Sequence, residues 1–480
     1  MRNALLTWGL LGLLAINAVG AQNTTVNGAK QFQSIHGLGV NANPQSWNVN
    51  PEAVKKVLDE LISGVGCTSF RLMFDDCDWE QVNDNDDPNS YNWTYYDSVY
   101  SAPRFTCVWN TVRYLNSKGI TDITLSPDGA TPKWMGGTKL AEGKEEEYAE
   151  TMASMVYYGR KRLDPPVQFS MLSPVNETTC GGNEGAAMTP QQFGTVYRAI
   201  ATHLLHDGLS DVTIIGPDDC DGWAANLQAM LANSTTMSKV KHFGQHEYGN
   251  SVRKAQETVD MVKNSAYPDR DVIMTEMNEA CTGCDDAKYN SDYGFDHYAG
   301  PAYKYMLQHL NLGVTGIQIW EAYDSQYHHP NRYLTWSMWG IFAVNDINHP
   351  DVYTRRPHYY VLQQLFRFVK PGFKRIDSST TLTDMTLSTF YDPPSKTIVI
   401  TGMNDGNSAQ TMEGALLNLP TISTLKYYYT DASHNFVQDS DVTVARQKFS
   451  KAIPAKCVFT LVGKSPGTAD VGYSIAQEEE

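Results

Sequence analysis

Two glutamates stand where apolar, strand-like runs end. Glu177 closes Ser173-Pro174-Val175-Asn176-Glu177, and Glu276 closes Ile273-Met274-Thr275-Glu276. Two carboxyl groups held about 5 Å apart can cleave a glycosidic bond with retention, one protonating the leaving oxygen while the other attacks the anomeric carbon. The two need different charge states, and each carboxylate helps to raise the pKa of the other. Glu321 also ends a strand-like run and rivals them, although a hydrogen bond to substrate would explain it equally well. Glu184 and Glu279 fall in loops beyond strand ends, and Glu247 points away from any site that its neighbour His246 enters.

Other residues suit the binding side of such chemistry. Arg71 lies within the apolar run Phe70-Arg71-Leu72, so it needs a buried partner; an ion pair with Asp75 or Asp76 is the ordinary alternative to a functional contact. His246 and Tyr248 share one face of a strand by its two-residue period, and His246 can also be read as a core histidine. Trp320 and Trp134 offer flat apolar faces for the C–H groups of a sugar, or are simply core. His328-His329 lacks a second ligand cluster, and Cys281-Thr282-Gly283-Cys284 reads as a pinned surface loop. The expectation is no metal and no cofactor.

The elements that would position these residues alternate. Strand-like runs cover Ile35–Val40, Ser69–Phe74, Ile123–Pro127, Val167–Pro174, Val212–Gly216, His242–Tyr248, Val272–Met277 and Gly316–Trp320. Between them lie helical patterns over Pro51–Ser63, Val108–Lys118, Glu145–Arg160, Pro190–Asp207 and Ala299–Leu312, several opening on proline. Eight strands with intervening helices predict a (β/α)8 TIM barrel over residues 35–370, with its chemistry at the carboxyl ends of the strands. From residue 371 to 480 the pattern turns to Val/Ile/Thr/Tyr-rich alternation, as in Thr397-Ile398-Val399-Ile400-Thr401, which predicts a smaller side β-sandwich. The extended segment 22–34 has no partner in a barrel and is expected to join that sandwich.

Composition bounds the setting. Lys+Arg 37 against Asp+Glu 53 leaves a net charge of −16, which argues against nucleic acid or an anionic membrane as partner. Hydrophobic residues at 41% with charged residues at only 19% allow a large core. Residues 1–21 read as a signal peptide, with Arg2 before the apolar run Ala4–Leu14 and the small residues Val19 and Ala21 before a cleavage site. No other segment reaches the roughly 18 apolar residues of a membrane span. A secreted, extracellular, monomeric protein is expected, acting on a polysaccharide or oligosaccharide. Its eight cysteines suggest disulfides whose pairing stays open. Sequons stand at Asn23, Asn92, Asn176 and Asn233, and the one at Asn176 is expected to go unused because a glycan there would block the cleft.

The chain resembles clan A of the glycoside hydrolases, whose acid/base follows an asparagine at the end of the fourth strand and whose nucleophile ends the seventh. It is most similar to glycoside hydrolase family 30, through Ile35-His36-Gly37-Leu38-Gly39, Phe70-Arg71-Leu72, Thr131-Pro132-Lys133-Trp134-Met135, Ser173-Pro174-Val175-Asn176-Glu177 and Phe368-Val369-Lys370-Pro371-Gly372. Gly182-Asn183-Glu184-Gly185 is similar to a segment of the endo-β-1,6-galactanase-like branch. The resemblance implies a retaining β-glycosidase with Glu177 as acid/base and Glu276 as nucleophile. It further implies that Arg71 holds the nucleophile ionised, that Asn176 holds the substrate 2-hydroxyl, and that His246 or Tyr248 touches the nucleophile or sugar. The family usually has proline after the acid/base, where this chain has Thr178. Endo-β-1,6-galactanase is the first expectation for substrate, followed by β-1,6-glucanase and endo-xylanase. Arg332 is a candidate for the cationic clamp of the glucuronate-reading xylanases. A catalytically silent carbohydrate-binding protein on the same scaffold is the alternative from another class.

Overall fold

The computed structural model describes residues 22–75, 79–180, 184–249, 251–281, 284, 293–329, 332–346 and 352–466. The expected signal peptide, Cys77, Gly182 and Asn183 lie outside them. Of the hairpin Ser325–His329 and Arg332–Ser337 the backbone is described, while the side chains of His328, His329 and Arg332 lie outside the description.

Eight parallel strands form the central sheet: Gly37–Ala42, Ser69–Asp75, Ile123–Asp128, Met171–Leu172, Thr213–Ile214, His242–Tyr248, Asp271–Asn278 and Gly316–Ile319. Neighbours in chain order pair from the first to the fifth and from the sixth to the eighth, and the first pairs with the eighth. Bridges between Ile214 and Val240 and between Pro217 and Gly244 join the fifth strand region to the sixth, so the sheet is a barrel. The fourth and fifth strands are shorter than their apolar runs.

Helices pack outside the strands, including Pro51–Asp59, Pro103–Ser117, Glu145–Tyr157, Pro190–His206 and Gly300–Leu312. Proline in the first turn fits because that N–H has no helical acceptor. Thr189 and Gln192 close a capping box on Pro190–His206. The helical patterns that start at Pro51 and Glu145 continue into wider turns at Glu60–Val65 and Tyr158–Arg162.

The C-terminal part is one nine-stranded sheet. Its order runs Val437–Thr443, Thr424–Thr430, Cys457–Lys464, Thr397–Asn404, Met385–Asp392, Lys374–Thr380, Thr24–Ser34, Gln410–Leu417 and Lys448–Ile453. Thr24–Ser34 is therefore interior to this sheet, antiparallel to Lys374–Thr380 and parallel to Gln410–Leu417. Val26, Ile376, Ile398, Met412, Leu425 and Phe449 form a core of its own. Its other face lies on the barrel helices: Phe390, Val399, Met403 and Val458 join the barrel's apolar cluster, and Ser388 donates to Asn311 (2.7 Å).

Candidate active site

The carboxyl ends of the strands converge on Arg71. Its side chain is fully buried on the second strand, where a lone cation would be costly, and four acceptors surround it. Nη1 donates to Glu276 Oε2 (3.2 Å) and Asn41 Oδ1 (3.1 Å), and Nη2 to Asn176 Oδ1 (2.8 Å) and Ser126 Oγ (3.0 Å). Asp218 Oδ2 lies 3.6 Å from Nη2. One guanidinium thus ties together the ends of the first, second, third, fourth and seventh strands and the loop after the fifth.

Glu276 collects donors. Besides Arg71, Tyr248 OH donates to its Oε1 at 2.6 Å, and His246 Nδ1 stands 3.1 Å from its Oε2. The two-residue period puts His246 and Tyr248 on this side of the sixth strand, and it turns Glu247 outward, onto His309 and the amides of Lys254 and Ala255. His246 Nδ1 also reaches Glu177 Oε1 at 2.8 Å, so one ring nitrogen touches both glutamates. Oxygens of Glu177 and Glu276 lie within 4.8 Å of one another, short of the roughly 6.5–9.5 Å that leaves room for a water between inverting carboxyls.

The environments of the two glutamates differ. Burial pushes the Glu177 carboxyl up to about 7, and Asp219 adds to the rise. Burial raises Glu276 as well, opposed by His246, Arg71 and the Tyr248 hydroxyl. Burial lowers His246, which disfavours a charged ring. Glu177, Glu276, Asp218 and Asp219 stand against two cations, Arg71 and Lys254, and a proton retained in the cluster is favoured. Glu276 accepts hydrogen bonds from two donors that suit a negative charge, Arg71 and Tyr248, whereas the Glu177 side chain, among the described residues, has only the His246 hydrogen bond. The proton belongs on Glu177.

The backbone supports this arrangement. Glu177 has φ +44° and Asp218 φ +50°, left-handed conformations that cost a non-glycine residue about 1–3 kcal/mol. The Glu177 amide donates to Asp218 O at 2.8 Å, which fixes the fourth strand's end to the fifth's. Asn176 is 4% exposed, accepts from Arg71 and donates to Asp128 Oδ1 and Glu184 O at 3.4 Å each, so a glycan has no space on it.

The remaining candidates fall differently. Trp320 ends the eighth strand and packs with Tyr248, Tyr293, Tyr298 and Trp339 around the Cys281–Cys284 disulfide, an aromatic wall whose Tyr248 touches Glu276. Trp134 is tied elsewhere: its Nε1 donates to Glu80 O (2.6 Å) and Lys144 sits 4.8 Å above its ring. Glu321 does not open onto the cleft. It is fully buried, and its two oxygens accept from Ser325 (2.8 Å) and Ser337 because the chain turns inward after the eighth strand. Cys180 pairs with Cys220, and among the described residues Cys67 and Cys457 are free and buried.

Asn41, Ser126, Asp128, Asp218 and Asp219 belong to the site and were passed over in the sequence. Each closes or follows a barrel strand, the same signal that marks Glu177 and Glu276. Glu177, His246 and Glu276 are near enough to ligate a cation, but Arg71 and Tyr248 already occupy Glu276, and the guanidinium would repel a metal ion. Among the described residues Glu177 with Cys180 and Cys220 is the other convergent group, and its sulfurs are joined to each other.

No family model and no curated protein matches the chain in sequence. Solved structures match its fold. A glycoside hydrolase family 30 subfamily 8 xylanase from Clostridium acetobutylicum superposes with TM-score 0.67 at 17% identity, covering 93% of this chain and 100% of that one. An endo-β-1,6-glucanase gives 0.66 at 17%, covering 92% and 94%. A glycoside hydrolase family 39 enzyme from Xanthomonas axonopodis pv. citri gives 0.58 at 13%, covering 95% and 100%. The chain is thus similar in fold to family 30 enzymes along nearly its whole described length.

Proposed function

We propose that the protein is a secreted retaining β-glycosidase that cuts a cell-wall polysaccharide by double displacement. The observation that carries this reading is the close pair Glu177 and Glu276 with unequal surroundings, two donors on Glu276 and a proton favoured on Glu177. Glu276 attacks the anomeric carbon as Glu177 gives its proton to the leaving oxygen; Glu177 then takes a proton from the water that releases the sugar. As Glu276 loses charge to the new bond, Arg71 and Tyr248 keep its carboxyl oriented. Asn176, held by Arg71 and Asp128, is placed for the substrate 2-hydroxyl, a contact that strengthens in the oxocarbenium-like transition state. Trp320 and its aromatic neighbours supply a stacking wall, and two disulfides suit an extracellular setting.

The substrate we propose is a β-1,6-galactan cut internally. β-1,6-Glucan and xylan come next, favoured by the fold likeness to an endo-β-1,6-glucanase and to xylanases. Incubation of wild type and Glu276→Ala with arabinogalactan, β-1,6-glucan, xylan, mannan and β-1,3-glucan tests the reading. New reducing ends from wild type alone on one polymer are expected. Binding without cleavage on every polymer would contradict it in favour of a carbohydrate-binding protein.

A further inference from the structure

The loop bearing Glu177 is gripped by a network that bond cleavage as described leaves unused. Asp219, fully buried beyond the fifth strand, accepts at Oδ1 from Thr179 N (2.9 Å), Thr179 Oγ1 (2.7 Å) and Cys220 N (2.9 Å). Its Oδ2 accepts from Thr178 Oγ1 (3.0 Å) and Asn226 Nδ2 (2.6 Å). Such a ring of donors suits an ionised carboxylate. The Cys180–Cys220 disulfide joins the same two loops, and both sulfurs lie within 4.8 Å of a Glu177 carboxyl oxygen. Thr178, Thr179 and Cys180 follow Glu177 directly, and the Cys180 amide turns back to Glu177 O at 2.9 Å. The three residues after Glu177 are therefore all anchored to the segment 218–220.

We propose that Asp219, clamped by Thr178, Thr179 and Asn226 and tied to the Glu177 loop by the Cys180–Cys220 disulfide, is the residue that positions Glu177 for proton transfer. The proposal rests on the reading of Glu177 as acid/base. The clamp holds Glu177 in its left-handed backbone, where its carboxyl meets His246, and it brings one buried negative charge near that carboxyl. The groups around Glu177 are His246 from the sixth strand, Glu276 from the seventh, Arg71 from the second, Asp218 and Asp219 after the fifth, and Lys254 from the helix Arg253–Lys263. Of the charged neighbours that raise the Glu177 carboxyl, Asp219 contributes most.

Two variants perturb the clamp in different ways. Asp219→Asn keeps the size but removes the charge and turns one accepting oxygen into a donating NH2, so part of the clamp is lost as well; the Cys180→Ser/Cys220→Ser protein keeps the carboxylate and its hydrogen bonds and frees the loop at the disulfide. The δ-carbon of Glu177, in protein labelled with 13C-glutamate and assigned by its loss in Glu177→Gln, is titrated by NMR without any substrate. In Asp219→Asn its midpoint should fall by about one pH unit. During turnover the alkaline limb of kcat/KM should move to lower pH with it, because Glu177 works protonated. The double serine variant should lose about tenfold or more in kcat with little change in KM. A shifted midpoint in a protein that cleaves no glycan sinks the glycosidase reading and, with it, the proton-transfer role of Asp219. Turnover with an unmoved midpoint overturns the proposal and leaves that reading standing. The double serine variant is a separate test should Asp219→Asn fail to fold, and an unchanged kcat there overturns the proposal too.

Discussion

Glu276 and Glu177 are the same residue type at equivalent strand ends, and only their neighbours distinguish them. The Tyr248 hydroxyl stabilises the ionised form of Glu276, so Tyr248→Phe should raise the Glu276 pKa. A nucleophile that must be ionised then needs a higher pH, and the acidic limb of kcat should move upward on the pH scale. Glu177→Ala should cost roughly 10²–10⁴-fold in kcat, and added azide should restore turnover as a glycosyl azide, measured by product NMR. Both glutamates were legible because each closes an apolar run, and Arg71 because a buried cation needs a partner. Asp218 and Asp219 obeyed the same strand-end rule and were overlooked beside the glutamates. Glu321 obeyed it too, yet turned inward to Ser325 and Ser337: past the last ladder residue the two-residue period no longer fixes where a side chain points.

Between the fourth strand and its helix the chain returns so closely that a side chain does not fit. A Cβ on Gly185 would stand 1.8 Å from Asn176 O, so Gly185→Ala must displace the segment holding Asn176 and Glu177. That variant should lose about 1–3 kcal/mol of stability yet stay folded, and lose kcat disproportionately; thermal unfolding and initial rates on one preparation check this. The barrel's strands were legible from their apolar runs, with the sixth bounded as expected at His242–Tyr248. The fourth and fifth strands are shorter than their apolar runs, because apolar character marks burial and not where ladder pairing stops. Helices Trp93–Tyr100, Trp223–Leu231 and Arg253–Lys263 went unmarked, being short or carrying few apolar residues.

Across the whole molecule, buried carboxyls set how stability responds to pH. Glu150, on the helix Glu145–Tyr157, is fully buried with no hydrogen-bond partner for either oxygen among the described residues, and burial pushes it up to about 9. Glu80, bridging Tyr96, Thr151 and the Asp84 amide, is pushed up to about 7, again chiefly by burial. The folded chain keeps these protons where the unfolded chain releases them near 4.5, so the native state binds more protons and stability falls as pH rises from about 5 toward 9. The melting temperature should be higher at pH 5 than at pH 8, and Glu150→Gln should flatten the slope. Thr24–Ser34 matters at the same scale: interior to the nine-stranded sheet, its deletion should expose the apolar cluster around Val26 and lower the yield of folded protein. The barrel was legible in the alternation of strand and helix. That the C-terminal strands form one continuous order was not, because strand order depends on long-range pairing that local periodicity does not carry.

The central claim is that Glu177 and Glu276 act together as a retaining pair, and the anomeric proton of newly released product reports it most directly. Time-resolved 1H NMR of wild type on the polymer it cleaves, beside Glu276→Ala, should show the β-anomer first, with α appearing only by mutarotation, and nothing from the variant. An α-anomer at the earliest times would mean inversion and contradict the assignment of Glu276 as nucleophile.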